Sequence, residues 1–213
     1  RFESRGLGDV YKRQRQGAFA ELITVPNTNI YEIPKKLDVT EAAVAEPTAV
    51  AYHAVLIGEN SIKKDIKECR ILVQGAGAIG LLCSLILYKI KKNNNIVMSD
   101  PNKLRLNECS KYFDAKFVGP TDKEVKSDSF DIVFDTVGLE VSRQQAISVV
   151  KPGGSIIHIG LTQPAGEFNF RKATLQEITF IGTYCYTNQD FSDTIQILAN
   201  KDIGNLDWIE SVS

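Results

Sequence analysis

Gly75-Ala76-Gly77-Ala78-Ile79-Gly80 sets three glycines at the spacing of a sharp turn that runs into a helix. The first permits the turn, the second lets the backbone approach a pyrophosphate, and the third lets the helix pack on the strand before it. Ala78 and Ile79 would open that helix, so a pyrophosphate would meet free amides and the positive end of its dipole. Asp100 follows about twenty residues beyond the last glycine, at the end of a second apolar stretch. Its carboxylate can accept hydrogen bonds from an adenosine ribose and would repel a 2′-phosphate, which favours NAD over NADP. Lys103 and Arg105 blunt that preference, because a base close by can tolerate the phosphate. As plain structure, Asp100 would instead cap the next helix. Glu46, before Pro47, reads on its own as a helix-terminal glutamate; His53 and His158 read as packed core histidines.

The elements around these residues follow from apolar spacing. Beyond Cys69, short apolar runs alternate with helical patterns. Strands are expected at 70–74, 96–99, 116–118, 131–135, 155–159 and 178–184, and helices at 78–89, 103–112, 140–150 and 191–200. Such alternation predicts an α/β fold, a doubly wound parallel sheet of about six strands covered on both faces by helices. Ahead of it, the β-branched and aromatic run Ala18–Val25 predicts a strand closed by Pro26, and Ile30–Ile33 a second one closed by Pro34. Asp38 with Glu41 resembles a capping box, and Pro47 suits the first turn of a following helix that carries Val50, His53 and Val55.

Composition narrows the classes. Hydrophobic residues make up 43% and charged residues 24%, with 25 basic against 26 acidic side chains and a formal charge of −1. That is a globular composition, with no charge excess to draw the chain onto nucleic acid or an anionic membrane. The longest apolar run, Ala78–Leu87, is about half a bilayer span and reads as a buried helix. Four cysteines, at 69, 83, 109 and 185, show no Cys-x-x-Cys pairing, so neither a zinc ribbon nor a disulfide framework is indicated, and a cytoplasmic setting with reduced thiols is expected. The chain opens on Arg1. Asp9-Val10-Tyr11-Lys12-Arg13-Gln14 is what GAT GTG TAT AAG AGA CAG encodes, a string that resembles the transposase end used to tag DNA for sequencing. Residues 1–14 are therefore expected to be a library scar outside the fold.

From Gly17 onward the sequence resembles the medium-chain dehydrogenase/reductase family, closest to its zinc-dependent alcohol and polyol dehydrogenases of the sorbitol type. Gly17-Ala18-Phe19-Ala20-Glu21, Ala45-Glu46-Pro47, the glycine loop with Asp100 and Phe130-Asp131-Ile132-Val133-Phe134-Asp135-Thr136-Val137-Gly138 carry the likeness. Lys151-Pro152-Gly153-Gly154 and His158-Ile159-Gly160-Leu161 follow in family order. The resemblance implies the end of a GroES-like catalytic β domain over 15–50, a Rossmann NAD-binding domain over 51–200, and a truncated return segment over 201–213. The family's Cys and Gly-His-Glu metal ligands would lie upstream of this chain.

Glu46 then matches a metal-site position, and Arg105 a basic position at the adenosine ribose. Val50 is expected behind the nicotinamide, and Val137 and Leu161 at the carboxyl edge of the sheet. Thr183 or Cys185 would meet the carboxamide. For the apolar members, core packing is the alternative. The implied activity is hydride transfer from a secondary alcohol or polyol to NAD in an intact zinc enzyme, with the isolated chain inactive. The resemblance also implies a homo-oligomer joined through the last strand. Two other readings remain at this point: a metal-free NADPH-dependent enone or quinone reductase, and a non-catalytic NAD-binding module.

Overall fold

The computed structural model describes residues 20–209, and the chain divides into two compact units, 1–32 and 33–213. In the first unit the described residues hold a 3-10 turn at Asn27–Asn29 and otherwise irregular backbone. This corrects the expectation of strands there: neither 20–25 nor 30–33 joins a ladder. A strand requires a neighbour for its N–H and C=O groups, and among the described residues none is paired with these segments. Their β-type composition leaves Leu22, Ile23, Val25 and Ile30 exposed instead. Ala18, Phe19 and the expected scar lie outside the described residues.

The second unit opens with α1 (Val39–Ala42), capped by Asp38, whose side chain accepts from Thr40 N at 2.8 Å. The longer α2 (Ala45–Asn60) follows, with Pro47 in its first turn, where a missing N–H costs no hydrogen bond. Then strand and helix alternate: β1 (Ile71–Gln74), α3 (Ala78–Leu85), β2 (Ile96–Ser99), α4 (Lys103–Cys109), β3 (Lys116–Val118), β4 (Phe130–Asp135), α5 (Glu140–Val149), β5 (Val150–His158), α6 (Phe170–Leu175), β6 (Thr179–Gly182) and α7 (Asn188–Ala199). All six strands run parallel in the order β3-β2-β1-β4-β5-β6. The order reverses between β1 and β4, which opens a crevice at the carboxyl ends of those strands.

Burial explains the short, continuously apolar strands. Every residue of β1 and β2 is buried, because helices lie on both faces. The core is built from Leu72, Val97, Phe130, Val133, Phe134 and Ile156, each contributing about 1.5–3 kcal/mol by leaving water. Helix α2 joins this core through Gly58, where an added Cβ would lie 2.7 Å from the Phe134 ring. Among the described residues no helix is long and apolar enough to cross a membrane.

Several element ends differ from expectation, since α4 stops at Cys109, β6 spans Thr179–Gly182 and α7 starts at Asn188, and three larger differences follow. Helix α3 gives way to a π turn over Ile86–Ile90. Strand β5 begins at Val150 rather than Ser155, because Lys151-Pro152-Gly153-Gly154 is absorbed into the ladder through a register shift opposite Phe130 and Ile132. Helix α6 was not expected from the sequence. Its six residues show too little apolar periodicity, and it is started by Asn169, which accepts from Lys172 N at 2.9 Å.

Candidate functional site at the carboxyl edge of the sheet

Strand register assembles the site. Gln74 is paired with Ser99 on one side and Asp135 on the other, Asp135 with His158, and His158 with Gly182. The segments after these residues therefore line one edge: 75–80, 100–105, 136–139, 159–162 and 183–187.

Each glycine of the first segment has a distinct constraint. Gly75 turns at φ +98°, and a side chain there would strike Thr136 Oγ1 at 2.7 Å and Val137 Cγ2 at 2.9 Å. At Gly80 a Cβ would lie 1.9 Å from the Gly75 carbonyl oxygen, so only glycine lets α3 start this close to β1. Gly77, the N-cap of α3, has nothing within 4 Å of an added Cβ. Open space above a helix N-terminus is what an approaching phosphate needs. Gly77 and Ala78 are exposed and Ile79 half-buried, so the start of the helix faces solvent.

Asp100 is 6% exposed and ties this loop down. Its Oδ2 accepts from Ala76 N at 2.8 Å, and its Oδ1 from Asn102 N at 2.7 Å. It is not the cap of α4. Asn102 takes that place, accepting from Leu104 N and Arg105 N. Each carboxylate oxygen of Asp100 retains a second lone pair, so a ribose hydroxyl can still donate to it. Arg105 is exposed in the first turn of α4, directly after Leu104.

Across the crevice, Asp135 is fully buried. Its Oδ1 accepts from Val137 N at 3.1 Å and Gly138 N at 2.9 Å, while His158 Nδ1 lies 3.0 Å from its Oδ2. Thr136 Oγ1 donates to Gln74 O at 2.6 Å, fixing the β4 turn to β1. A Cβ on Gly138 would lie 2.1 Å from Gly160 O, so the turns after β4 and β5 touch through bare backbone. Val137 is half-buried, and Leu161 stands 80% exposed, which removes core packing as its explanation. Thr183 follows β6 and donates its N–H to His158 O at 2.9 Å. Cys185 is exposed beyond it. Val50 is half-buried on α2, and Glu46 is exposed in the first turn of that helix.

The histidines correct the sequence reading. Neither is simply packed. His158 is paired with Asp135, and His53 with Asp190 at 2.8 Å, joining α2 to α7. Sequence reasoning passed over Asp135, whose signal was an acid closing an apolar strand directly before a turn. A carboxyl group that deep must be hydrogen-bonded.

The family model for zinc-binding dehydrogenases matches residues 78–200. The chain belongs to the zinc-binding dehydrogenase family. That is the medium-chain dehydrogenase/reductase likeness carried by its motifs. (R,R)-butanediol dehydrogenase of Saccharomyces cerevisiae is 30% identical over 210 residues, covering 93% of this chain and 52% of that protein. D-xylulose reductase of the same yeast is 27% identical over 184 residues, covering 81% and 50%. L-idonate 5-dehydrogenase of Escherichia coli superposes with a TM-score of 0.71 at 25% identity, covering 81% of this chain and 49% of that one. The chain thus spans about half the length of the curated relatives it matches.

For a zinc-binding dehydrogenase, the metal residues here are sparse. Among the described residues no group of three or more His, Cys, Asp or Glu side chains is placed to hold a metal ion. Glu46 alone does not make a zinc site, since a catalytic zinc takes three protein ligands.

Proposed function

We propose that this chain binds NAD across the carboxyl edge of its sheet and serves as the cofactor-binding part of an alcohol or polyol dehydrogenase. The observation that carries the proposal is the glycine turn: Gly80 admits no Cβ beneath the helix, Gly77 leaves the space above it open, and Asp100 fastens the turn just before Gly77 through the Ala76 amide. The amides of Ala78 and Ile79 at the start of α3 take the pyrophosphate, and Asp100 accepts from the adenosine ribose, with Arg105 beside it. The other half of the cofactor then lies over β4, β5 and β6, against Val137, Leu161 and Thr183, with Val50 behind it. Bound NAD supplies the hydride acceptor, and the protein supplies the positioning.

The substrate class, a secondary alcohol or polyol, is proposed from the family and from relatives that are a butanediol dehydrogenase and a xylulose reductase. Glu46 is proposed as one ligand of a zinc ion whose other ligands lie outside the described residues. The chain by itself binds cofactor without turning over alcohol. Its thiols, free among the described residues, suit the cytoplasm.

Titration of NADH into the chain, followed by nicotinamide fluorescence, tests the reading. Saturable binding that is tighter than that of NADPH is expected. No binding of either nucleotide overturns it, and steady NADH formation from an alcohol overturns the claim of inactivity.

A further inference from the structure

Arg143 occupies the fourth position of α5 and is only 9% exposed, yet among the described residues it forms no salt bridge. Main-chain oxygens hold it instead. Nη1 donates to Gly138 O at 2.9 Å and Gln163 O at 3.1 Å, and Nη2 to Ala165 O at 2.7 Å. A cation in the first turns of a helix sits where the dipole is positive, and burying it without an anion is costly. Carbonyl oxygens offset that cost through partial charges, and the guanidinium meets the three of them from two separate nitrogens, a spread that a single ammonium nitrogen lacks. Such an arrangement has a mechanical consequence: it braces two loops against each other.

The two loops are those that follow β4 and β5. Further bonds run along the same seam. Thr162 Oγ1 donates to Val137 O at 2.6 Å, and Gln163 N to Gly138 O at 3.0 Å. Glu140 N donates to Gln163 Oε1 at 2.9 Å, and Glu167 N to Glu140 Oε1 at 3.1 Å. Gly166 is pressed so close that a Cβ would lie 2.9 Å from Arg143 Nη2. Arg143 stands at the centre of this seam, on the opposite side of Gly138 from the buried Asp135, which accepts from the Gly138 amide.

A dinucleotide whose adenosine half lies at Asp100, on the β2 side, must cross the start of α3 and lay its other half over β4 and β5. The braced loops are the wall on that side. We propose that Arg143 is a positioning residue for the nicotinamide half of the cofactor: by locking 161–165 onto 137–138 it keeps that wall in its binding shape before the cofactor arrives. This rests on the nucleotide reading above. The preformed wall removes an ordering cost from binding. That cost falls on the nicotinamide half, because among the described residues the fork's hydrogen bonds go to Gly138, Gln163 and Ala165 and none goes to the glycine turn or Asp100.

The test compares NADH with ADP-ribose, which lacks nicotinamide, on the full chain and on Arg143→Met and Arg143→Lys. Both variants are expected to bind NADH about tenfold more weakly, with ADP-ribose affinity held within about twofold. Amide hydrogen exchange should rise over 161–167 and stay unchanged over 71–80. Lysine keeps the charge and loses the fork, so full recovery of NADH affinity by Arg143→Lys overturns the proposal. Equal weakening of both ligands also overturns it, as does unchanged NADH binding in both variants. If the unaltered chain binds neither ligand, the nucleotide reading itself falls, and this assignment falls with it.

Discussion

At the scale of single residues, the glycines of the turn make opposite demands. A methyl group at Gly80 would sit 1.9 Å from the Gly75 carbonyl, so Gly80→Ala must push α3 away from β1. A loss of about 1–3 kcal/mol of stability is expected, together with loss of NADH binding, measurable by denaturant melts and titration. Gly77→Ala meets nothing within 4 Å and has an ordinary φ of −86°, so stability should hold while NADH affinity drops by at least about tenfold as the methyl enters phosphate space. Equal destabilisation by the two changes would contradict these separate roles. The cysteines divide in a similar way. Burial pushes Cys69 and Cys109 up to about 11 and Cys83 to about 12, while Cys185 is exposed. At pH 8, mass spectrometry after brief alkylation should find the label on Cys185 among these four, and rapid labelling of Cys83 would show that the core opens. At this scale the sequence displayed the glycines and Asp100, because their chemistry depends on local spacing. It did not display the Asp135–His158 pair or the Arg143 brace, whose partners are 23 and 20 to 22 residues away, except for Gly138 at five. Only the fold brings them together.

Secondary-structure elements add a pH dependence where α2 meets α7. Asp190 closes a capping box with Thr187 and accepts from His53 on α2. Burial alone would raise its pKa, but hydrogen bonds from the Thr187 hydroxyl and amide and from His53 outweigh that, and the net shift is downward. A carboxyl whose folded pKa is depressed releases its proton more readily in the folded state. Its contribution is therefore full above the unfolded value, near about 3.9, and is lost as pH falls through the lower folded value. Asp190→Asn should cost about 1–3 kcal/mol at pH 7 and progressively less towards pH 3, read from melting curves across that range. A constant loss at all pH values would contradict the linkage. Elements were largely legible beforehand, because β1 and β2 are short apolar runs with clear breaks, α1 carries its Asp38 cap in the text and α2 carries Pro47 in its first turn. The exceptions are instructive. Residues 20–25 have strand composition without a partner, β5 runs back through a Pro-Gly-Gly stretch, and α6 is too short to show a period.

For the whole molecule, the parallel order β3-β2-β1-β4-β5-β6 places one crevice between β1 and β4, and the glycine turn, Asp100, Asp135 and the braced loops all converge there. The same order leaves β3 and β6 as edges. Phe180 on β6 is exposed, as are Phe170, Leu175 and Tyr184 near it in sequence. An apolar open edge of this kind is proposed to pair with a second copy, and sedimentation should show a dimer that Ile181→Lys converts to monomer. A monomer at all concentrations would contradict that proposal. The central claim concerns the crevice, and hydrogen–deuterium exchange of the chain with and without NADH tests it most directly. The account expects protection over 75–81, 99–103, 136–139 and 159–163, with α5 and α7 unchanged. Protection confined to the far ends of the strands, or none at saturating NADH, would contradict it.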